Sequence, residues 1–175
     1  MSDAIVAGWP CAAGRIEPLT VTMVGDLKYG RTVHSLAPLL SMYDVKFNYV
    51  APAALAMPEY VSDAVRVAGR EQHTTEDLDS VLPTTDVLYV TRIQKERFPT
   101  EAEGLKYQGV YTISKATLAQ AKEKMVVMHP LPRVGEILEE VDADPRAAYF
   151  RQMRNGMLAR MALLALVKGV VNGKE

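Results

Sequence analysis

The chain has 175 residues, 49% of them hydrophobic, enough for one ordinary core and short for two. Twenty basic side chains stand against twenty-one acidic ones, a formal net charge of -1, so no basic field is available to hold nucleic acid or an anionic membrane surface. A single cysteine, Cys11, excludes an internal disulfide framework or a thiolate metal cluster and suits a reducing compartment.

The opening Met-Ser-Asp-Ala carries an acid where a targeting peptide carries Lys or Arg. No apolar run approaches the roughly 18 residues of a membrane span. A soluble, cytoplasmic chain is therefore expected. Residues 1–18, punctuated by Gly8-Trp9-Pro10 and Gly14, read as a poorly defined N-terminal segment, and residues 19–175 as one domain.

Leu19 to Val24 is apolar and β-branched, stops at Gly25-Asp26, and is followed by helical spacing from Thr32 to Met42. The alternation repeats with a strand over Val45 to Val50, a helix over Glu59 to Ala68, and Gly69 as its terminator. Thr75 to Leu82, with Thr74 or Thr75 as N-cap and acids in its first turn, predicts a short helix. Asp86 to Val90 predicts a strand, Ser114 to Lys124 a helix capped by its serine, and Met125 to Met128 a buried strand. Asp144-Pro145 reads as the start of a last helix, whose apolar residues from Ala147 to Val167 predict a largely buried element with a bend or break at Gly156. Strands alternating with helices in this rhythm give an α/β class, a mainly parallel sheet with helices on both faces.

In such sheets ligands collect beyond the carboxyl ends of the strands. Three segments occupy that position. Gly25-Asp26-Leu27-Lys28-Tyr29-Gly30-Arg31 sets two glycines around a lysine and an arginine at the start of a helix, a turn suited to an anion. Thr91-Arg92-Ile93-Gln94-Lys95-Glu96-Arg97 puts a guanidinium and an amide at a second strand end. His129-Pro130-Leu131-Pro132-Arg133 is stiff, its prolines leave carbonyls free for a ligand, and a cis bond before Pro132 is plausible. Arg31 and Arg92 in one crevice would each clamp a carboxylate, which suggests a dicarboxylate ligand. Gln94 could accept from an amine.

These segments, in order and at suitable spacing, resemble the signatures of aspartate carbamoyltransferase. Val141 to Gln152, with Asn155-Gly156 and the apolar run beyond, resembles that family's carboxyl-terminal helix, particularly in the animal multifunctional pyrimidine-synthesis protein. The resemblance spans Leu19 to Gly169 and rests on four ordered motifs. It implies transfer of a carbamoyl group from carbamoyl phosphate to L-aspartate in pyrimidine synthesis, with no metal or organic cofactor. It also implies that Arg31, Arg92, Gln94 and Lys28 bind L-aspartate and that Pro130, Leu131 and Pro132 face the carbamoyl phosphate side. The ornithine-using sister enzymes share the design, but the second guanidinium at Arg92 favours aspartate.

The family's Ser-Thr-Arg-Thr-Arg turn and His-Pro-Thr-Gln segment, which belong to its carbamoyl-phosphate half, do not occur in this sequence. The chain is thus expected to supply the aspartate-binding half, to need a carbamoyl-phosphate-binding domain or chain as partner, to lack turnover alone, and to join a trimer only in the full-length family. A catalytically incomplete module that binds an amino acid or depends on a partner is the alternative. A nicotinamide enzyme is disfavoured, because Gly-x-Gly-x-x-Gly does not follow the first strand.

Blander readings stand beside these. Lys28 serves equally well as a solvated loop charge. Lys95, Glu96 and Arg97 read as a local ion network orienting the Arg92 loop, and His34, His73 and His129 as structural residues. Gly135 replaces the family's usual Asp or Asn after Pro-Arg-Val, which predicts a looser loop around Arg133 and Glu136. The Met and Leu positions of the last helix read as core. Arg154 and Arg160 are either exposed or meet another domain.

Overall fold

The computed structural model describes residues 18–169. The expectations for Cys11 and residues 1–17 lie outside that range. Five strands, β1 (Leu19–Val24), β2 (Val45–Val50), β3 (Gln72–Thr75), β4 (Val87–Val90) and β5 (Val126–Met128), form one sheet in the order β3-β2-β1-β4-β5. All four pairings are parallel, with Leu19 opposite Val45 and Val21 opposite Val87. The chain moves outward from β1 through β2 to β3, then returns to β1's other side as β4. That reversal opens a crevice past the carboxyl ends of β1 and β4.

The period of two along each strand divides the core. Met23, Phe47, Tyr49, Val87, Tyr89 and Met128 pack with Val33, Leu36 and Leu40 of helix α1 (Arg31–Leu40) and with Val61 and Val65 of α2 (Glu59–Val67). Val24, Val50, Leu88, Val90 and Val127 form the other core, with Leu82, Ile113, Leu118 of α4 (Lys115–Ala119), and Val141; the short α3 (Glu101–Leu105) precedes α4 in the chain. The polar residues of this face satisfy one another: Asn48 donates to Thr22 at 3.0 Å, the Thr22 and Thr85 hydroxyls are 2.6 Å apart, and Thr85 donates to the Val81 carbonyl at 2.8 Å. The α/β architecture read from the sequence holds, with helices on both faces. Gly69, at φ 74, closes α2 as expected.

Five expectations are corrected. No helix spans Thr75 to Leu82: β3 ends at Thr75, and a turn leads to a single 3₁₀ turn, Leu82–Thr84. Thr75 Oγ1 accepts from the Asp77 N–H, and the Asp77 carboxylate from those of Asp79 and Ser80, so side chains take the donors a helix would need. The helix at Ser114 stops at Ala119 rather than Lys124. Ser114 does cap it, in a reciprocal pair with Thr117, but the Arg146 guanidinium takes the Leu118 carbonyl at 2.7 Å.

The last helix, α5 (Tyr149–Val167), begins beyond Asp144-Pro145 because the intervening residues serve the sheet: Val127 donates to the Arg146 carbonyl and accepts from the Ala148 N–H. Gly156 is buried and does not break it. Finally, the Met and Leu positions of α5 are not core. Met153, Met157, Leu158, Met161, Leu163, Leu164 and Leu166 are all exposed, and only Tyr149, Gln152 and Gly156 are buried. The apolar pattern signalled a surface to be covered, and nothing in the described residues covers it. Arg154 and Arg160 are exposed as well. No helix among the described residues is long and apolar enough to cross a membrane.

Candidate functional site

The loop after β1 is folded tightly against the loop after β4. Gly25 adopts φ 114, and a Cβ there would lie 2.3 Å from the Thr91 carbonyl oxygen, so only glycine lets the two strand ends approach. Thr91 reciprocates, donating through both its N–H and its hydroxyl to the Val24 carbonyl at 2.9 and 3.1 Å.

Asp26 is the hub between these loops. It is fully buried, one carboxylate oxygen accepts the Tyr29 N–H at 2.9 Å, and the other accepts the Gln94 N–H at 3.1 Å. Burial pushes its carboxyl up from the usual range, more than these backbone donors pull it down. The Gln94 side chain completes the tie, its Nε2 donating to the Tyr29 carbonyl at 2.9 Å and leaving Oε1 uncommitted in that bond. Sequence reasoning quoted Asp26 within a motif but gave it no role. The available signal was an acid directly following a buried strand.

Arg92 lies beyond β4, half-buried, its guanidinium forked onto the Glu96 carboxylate. The Glu96 backbone N–H and the Arg92 charge hold that carboxyl below its usual range. Lys95 turns away to donate to Gln108 at 2.6 Å. The segment carrying Gln108 is anchored twice: Phe98 meets Tyr29 edge-on at 5.6 Å and stacks on Tyr107 at 5.8 Å, and the Tyr111 hydroxyl donates to the Glu76 carbonyl at 2.9 Å.

Between these parts lies a cavity of about 240 Å³. Gly25 and Thr91 line it. Arg92, Lys95, Gln108, Tyr111 and Glu136 are among its walls. Of the residues expected to bind a dicarboxylate, Arg92 alone lines it. Gln94 braces the neighbouring loop, Arg31 is exposed at the first position of α1, and Lys28, its ammonium 5.3 Å from the Tyr29 ring centre, lines a second hollow with Phe98 and Tyr107.

The third segment follows β5. The Leu131–Pro132 peptide bond is cis. Pro130, Leu131 and Pro132 do not line the cavity, but Val134, Gly135 and Glu136 of the same loop do. Gly135 has φ 98 with open space around its missing Cβ, a conformation that suits the glycine found there. Arg133 points elsewhere, onto Asp142 and the Tyr149 hydroxyl. His129 is buried, with its ring bonded to Glu136 and to the Leu131 N–H. His34 bridges the Leu27 carbonyl and the Tyr60 hydroxyl, and His73 is exposed on β3.

Comparison with known proteins fits this arrangement. Residues 17–167 match the family model of the aspartate/ornithine carbamoyltransferase Asp/Orn binding domain. The chain is 55% identical over 156 residues to the multifunctional protein pyr1-3 of Dictyostelium discoideum, covering 89% of this chain and 7% of that protein. It is 52% identical over 162 residues to the aspartate carbamoyltransferase catalytic subunit of Thermococcus onnurineus, covering 93% of this chain and 52% of that one. Aspartate transcarbamoylase from Trypanosoma cruzi, in complex with carbamoyl phosphate and aspartate, superposes with a TM-score of 0.85 at 45% identity, over 93% of this chain and 55% of that one. The chain thus spans about half the length of these single-function relatives. With its parallel sheet, its strand-end loops and a match across most of its length, it belongs to the aspartate/ornithine carbamoyltransferase family through the Asp/Orn binding domain.

Proposed function

We propose that this chain is the aspartate-binding half of an aspartate carbamoyltransferase, which transfers the carbamoyl group of carbamoyl phosphate to the amine of L-aspartate in pyrimidine synthesis. The observation that carries the reading is the Arg92 cavity at the topological switch of the sheet, with a guanidinium already seated on a carboxylate and two loops locked through Asp26. The Arg92 fork suits one substrate carboxylate. Arg31, with Lys28 three residues before it, receives the second, and Gln94 Oε1 accepts from the amine. The Leu131 and Pro132 carbonyls face the carbamoyl phosphate side. Catalysis of this kind is placement: the amine is held in attacking geometry on the carbamoyl carbon, phosphate leaves, and fixed donors stabilise the developing charge.

The partner is a carbamoyl-phosphate-binding half, within one polypeptide or separate. The exposed apolar side chains of α5, from Met153 to Leu166, supply the surface for it. Trimer formation belongs to that assembly, and the cytoplasm suits a chain with one cysteine. The alternative, an amino-acid-binding module without turnover, rests on the absence of the donor-site motifs.

Calorimetric titration of the purified chain with L-aspartate, succinate and L-ornithine tests the reading. Binding of the two dicarboxylates with no response to ornithine is expected, and turnover on adding a carbamoyl-phosphate-binding half. Ornithine binding, or silence toward all three with and without that half, would overturn it.

A further inference from the structure

His129 does more than fill space after β5. Its side chain has no exposed surface, and its backbone N–H and both ring nitrogens are engaged. Its own N–H donates to Oε1 of buried Gln152, in the first turn of α5, at 3.0 Å. Nδ1 accepts the Leu131 N–H at 2.8 Å, which leaves the ring proton on Nε2, 2.7 Å from Glu136 Oε1. The other Glu136 oxygen accepts the Val134 N–H at 2.9 Å.

The two residues on either side of the ring belong to different parts of the site. Leu131 sits at φ 47, a left-handed conformation that a leucine keeps only where its surroundings hold it, and its amide is held by Nδ1. Glu136, with Val134 and Gly135, walls the Arg92 cavity. A single imidazole therefore spans from the Pro130–Pro132 turn to the cavity wall.

We propose that His129 is a positioning residue: its Nε2–H tautomer, clamped between the Leu131 amide and the Glu136 carboxylate, sets the Pro130–Leu131–Pro132 turn in register with the Val134–Glu136 wall. This rests on the reading that the turn faces carbamoyl phosphate and the cavity takes aspartate. The ring then fixes the distance between the two substrates. It takes no proton in the reaction, because it is buried and both nitrogens are already bonded. Gln152 sets the ring from α5, so the helix offered to the partner half also anchors the turn.

Two substitutions separate the ring's bonds. His129→Gln places an amide N–H near Nε2, keeping the bond to Glu136 and losing the acceptor for Leu131. His129→Asn places a carbonyl oxygen near Nδ1, with the opposite result. Amide hydrogen exchange on the isolated chain reads the first consequence. Exchange at Leu131 should rise at least tenfold in His129→Gln with Val134 little changed, and the pattern should reverse in His129→Asn. Steady-state kinetics of the chain assembled with a carbamoyl-phosphate-binding half reads the second: His129→Gln raises KM for carbamoyl phosphate more than for aspartate, and His129→Asn does the reverse. Parallel losses at both positions, tracking a general fall in Tm, would make His129 merely structural and overturn the proposal. If the buried substitutions prevent folding, Glu136→Ala carries the test from the cavity side, with faster exchange at Leu131 expected and unchanged exchange refuting the link. An inactive wild-type assembly that binds no dicarboxylate defeats the proposed reaction, and with it the positioning role, whereas an active wild type with no KM split defeats His129 alone.

Discussion

Asp26 and Gln94 lie 68 residues apart in sequence, and a buried Asp26 carboxylate oxygen accepts the Gln94 N–H at 3.1 Å. Because the other oxygen takes the Tyr29 N–H, one side chain fixes the relative height of the loops beyond β1 and β4. Asp26→Ala leaves two amide donors without their acceptor, which costs on the order of 1 to 3 kcal/mol. Urea unfolding should show that loss. Succinate affinity should fall with it, since Arg92 leaves the same strand end. A variant as stable as the parent would remove Asp26 from its place as hub.

The pH dependence separates Asp26 from Glu136. Burial raises the Asp26 carboxyl above its ordinary value of 3.8, so its contribution to stability is fullest below that value and is lost as pH rises through the folded value. Burial acts upward on Glu136 too, but hydrogen bonds from His129 and Val134 outweigh it and hold the carboxyl below 4.5. That contribution is present above 4.5 and is lost as pH falls through the folded value. Glu136→Gln should therefore flatten the acid limb of a stability–pH curve, and Asp26→Asn should steepen it. Identical slopes in both variants would contradict the assignment.

Gly25 and Gly135 both have positive φ but differ in what surrounds them. Alanine at either carries the conformational penalty, roughly 1 to 3 kcal/mol. At Gly25 the new Cβ would also lie 2.3 Å from the Thr91 carbonyl oxygen, while at Gly135 it meets nothing within 4 Å. Gly25→Ala should thus be clearly the more damaging in urea unfolding and should weaken dicarboxylate binding. Equal costs would mean that the contact between the strand ends yields freely.

Arg92→Ala should weaken succinate binding by about 10- to 150-fold, the equivalent of a charge-assisted bond worth roughly 1.5 to 3 kcal/mol. Stability should change little, because the Arg92–Glu96 pair is open to solvent on the Glu96 side and its partners sit four residues apart. Arg92→Lys should not restore affinity, since an ammonium lacks the planar fork. Calorimetry on the three proteins checks each statement, and undiminished affinity in Arg92→Ala would place the carboxylate elsewhere.

What the sequence revealed follows from which interactions are local. β1, β2 and β4 were legible because their apolar runs end at sharp signals such as Gly25-Asp26 and Pro52. The Arg92 segment was found because strand ends are where a parallel sheet binds ligands. Thr75 to Leu82 misled because acids after a threonine signal a helix start equally well when, as with Asp77, they bond to their own turn instead. Asp26 and the His129 relay were missed as organisers because their partners, Gln94 and Gln152, come together only through the sheet. The reading of α5 as core failed for a different reason: periodic apolar residues announce that a face needs cover and say nothing of what provides it.

That uncovered face makes the last prediction. Met157, Met161 and Leu164 follow helical spacing along α5 and are each more than half exposed. Replacing Met161 and Leu164 by lysine removes no buried contact, so stability should change by no more than about 0.5 kcal/mol per site. If α5 receives the carbamoyl-phosphate-binding half, two buried unpaired ammonium groups would oppose docking. Sedimentation of the mixed halves should then show assembly weakened at least tenfold, while succinate binding to the isolated chain stays intact. The opposite pattern, undisturbed assembly with a lowered Tm, would mean that α5 packs against its own domain and that the partner docks elsewhere.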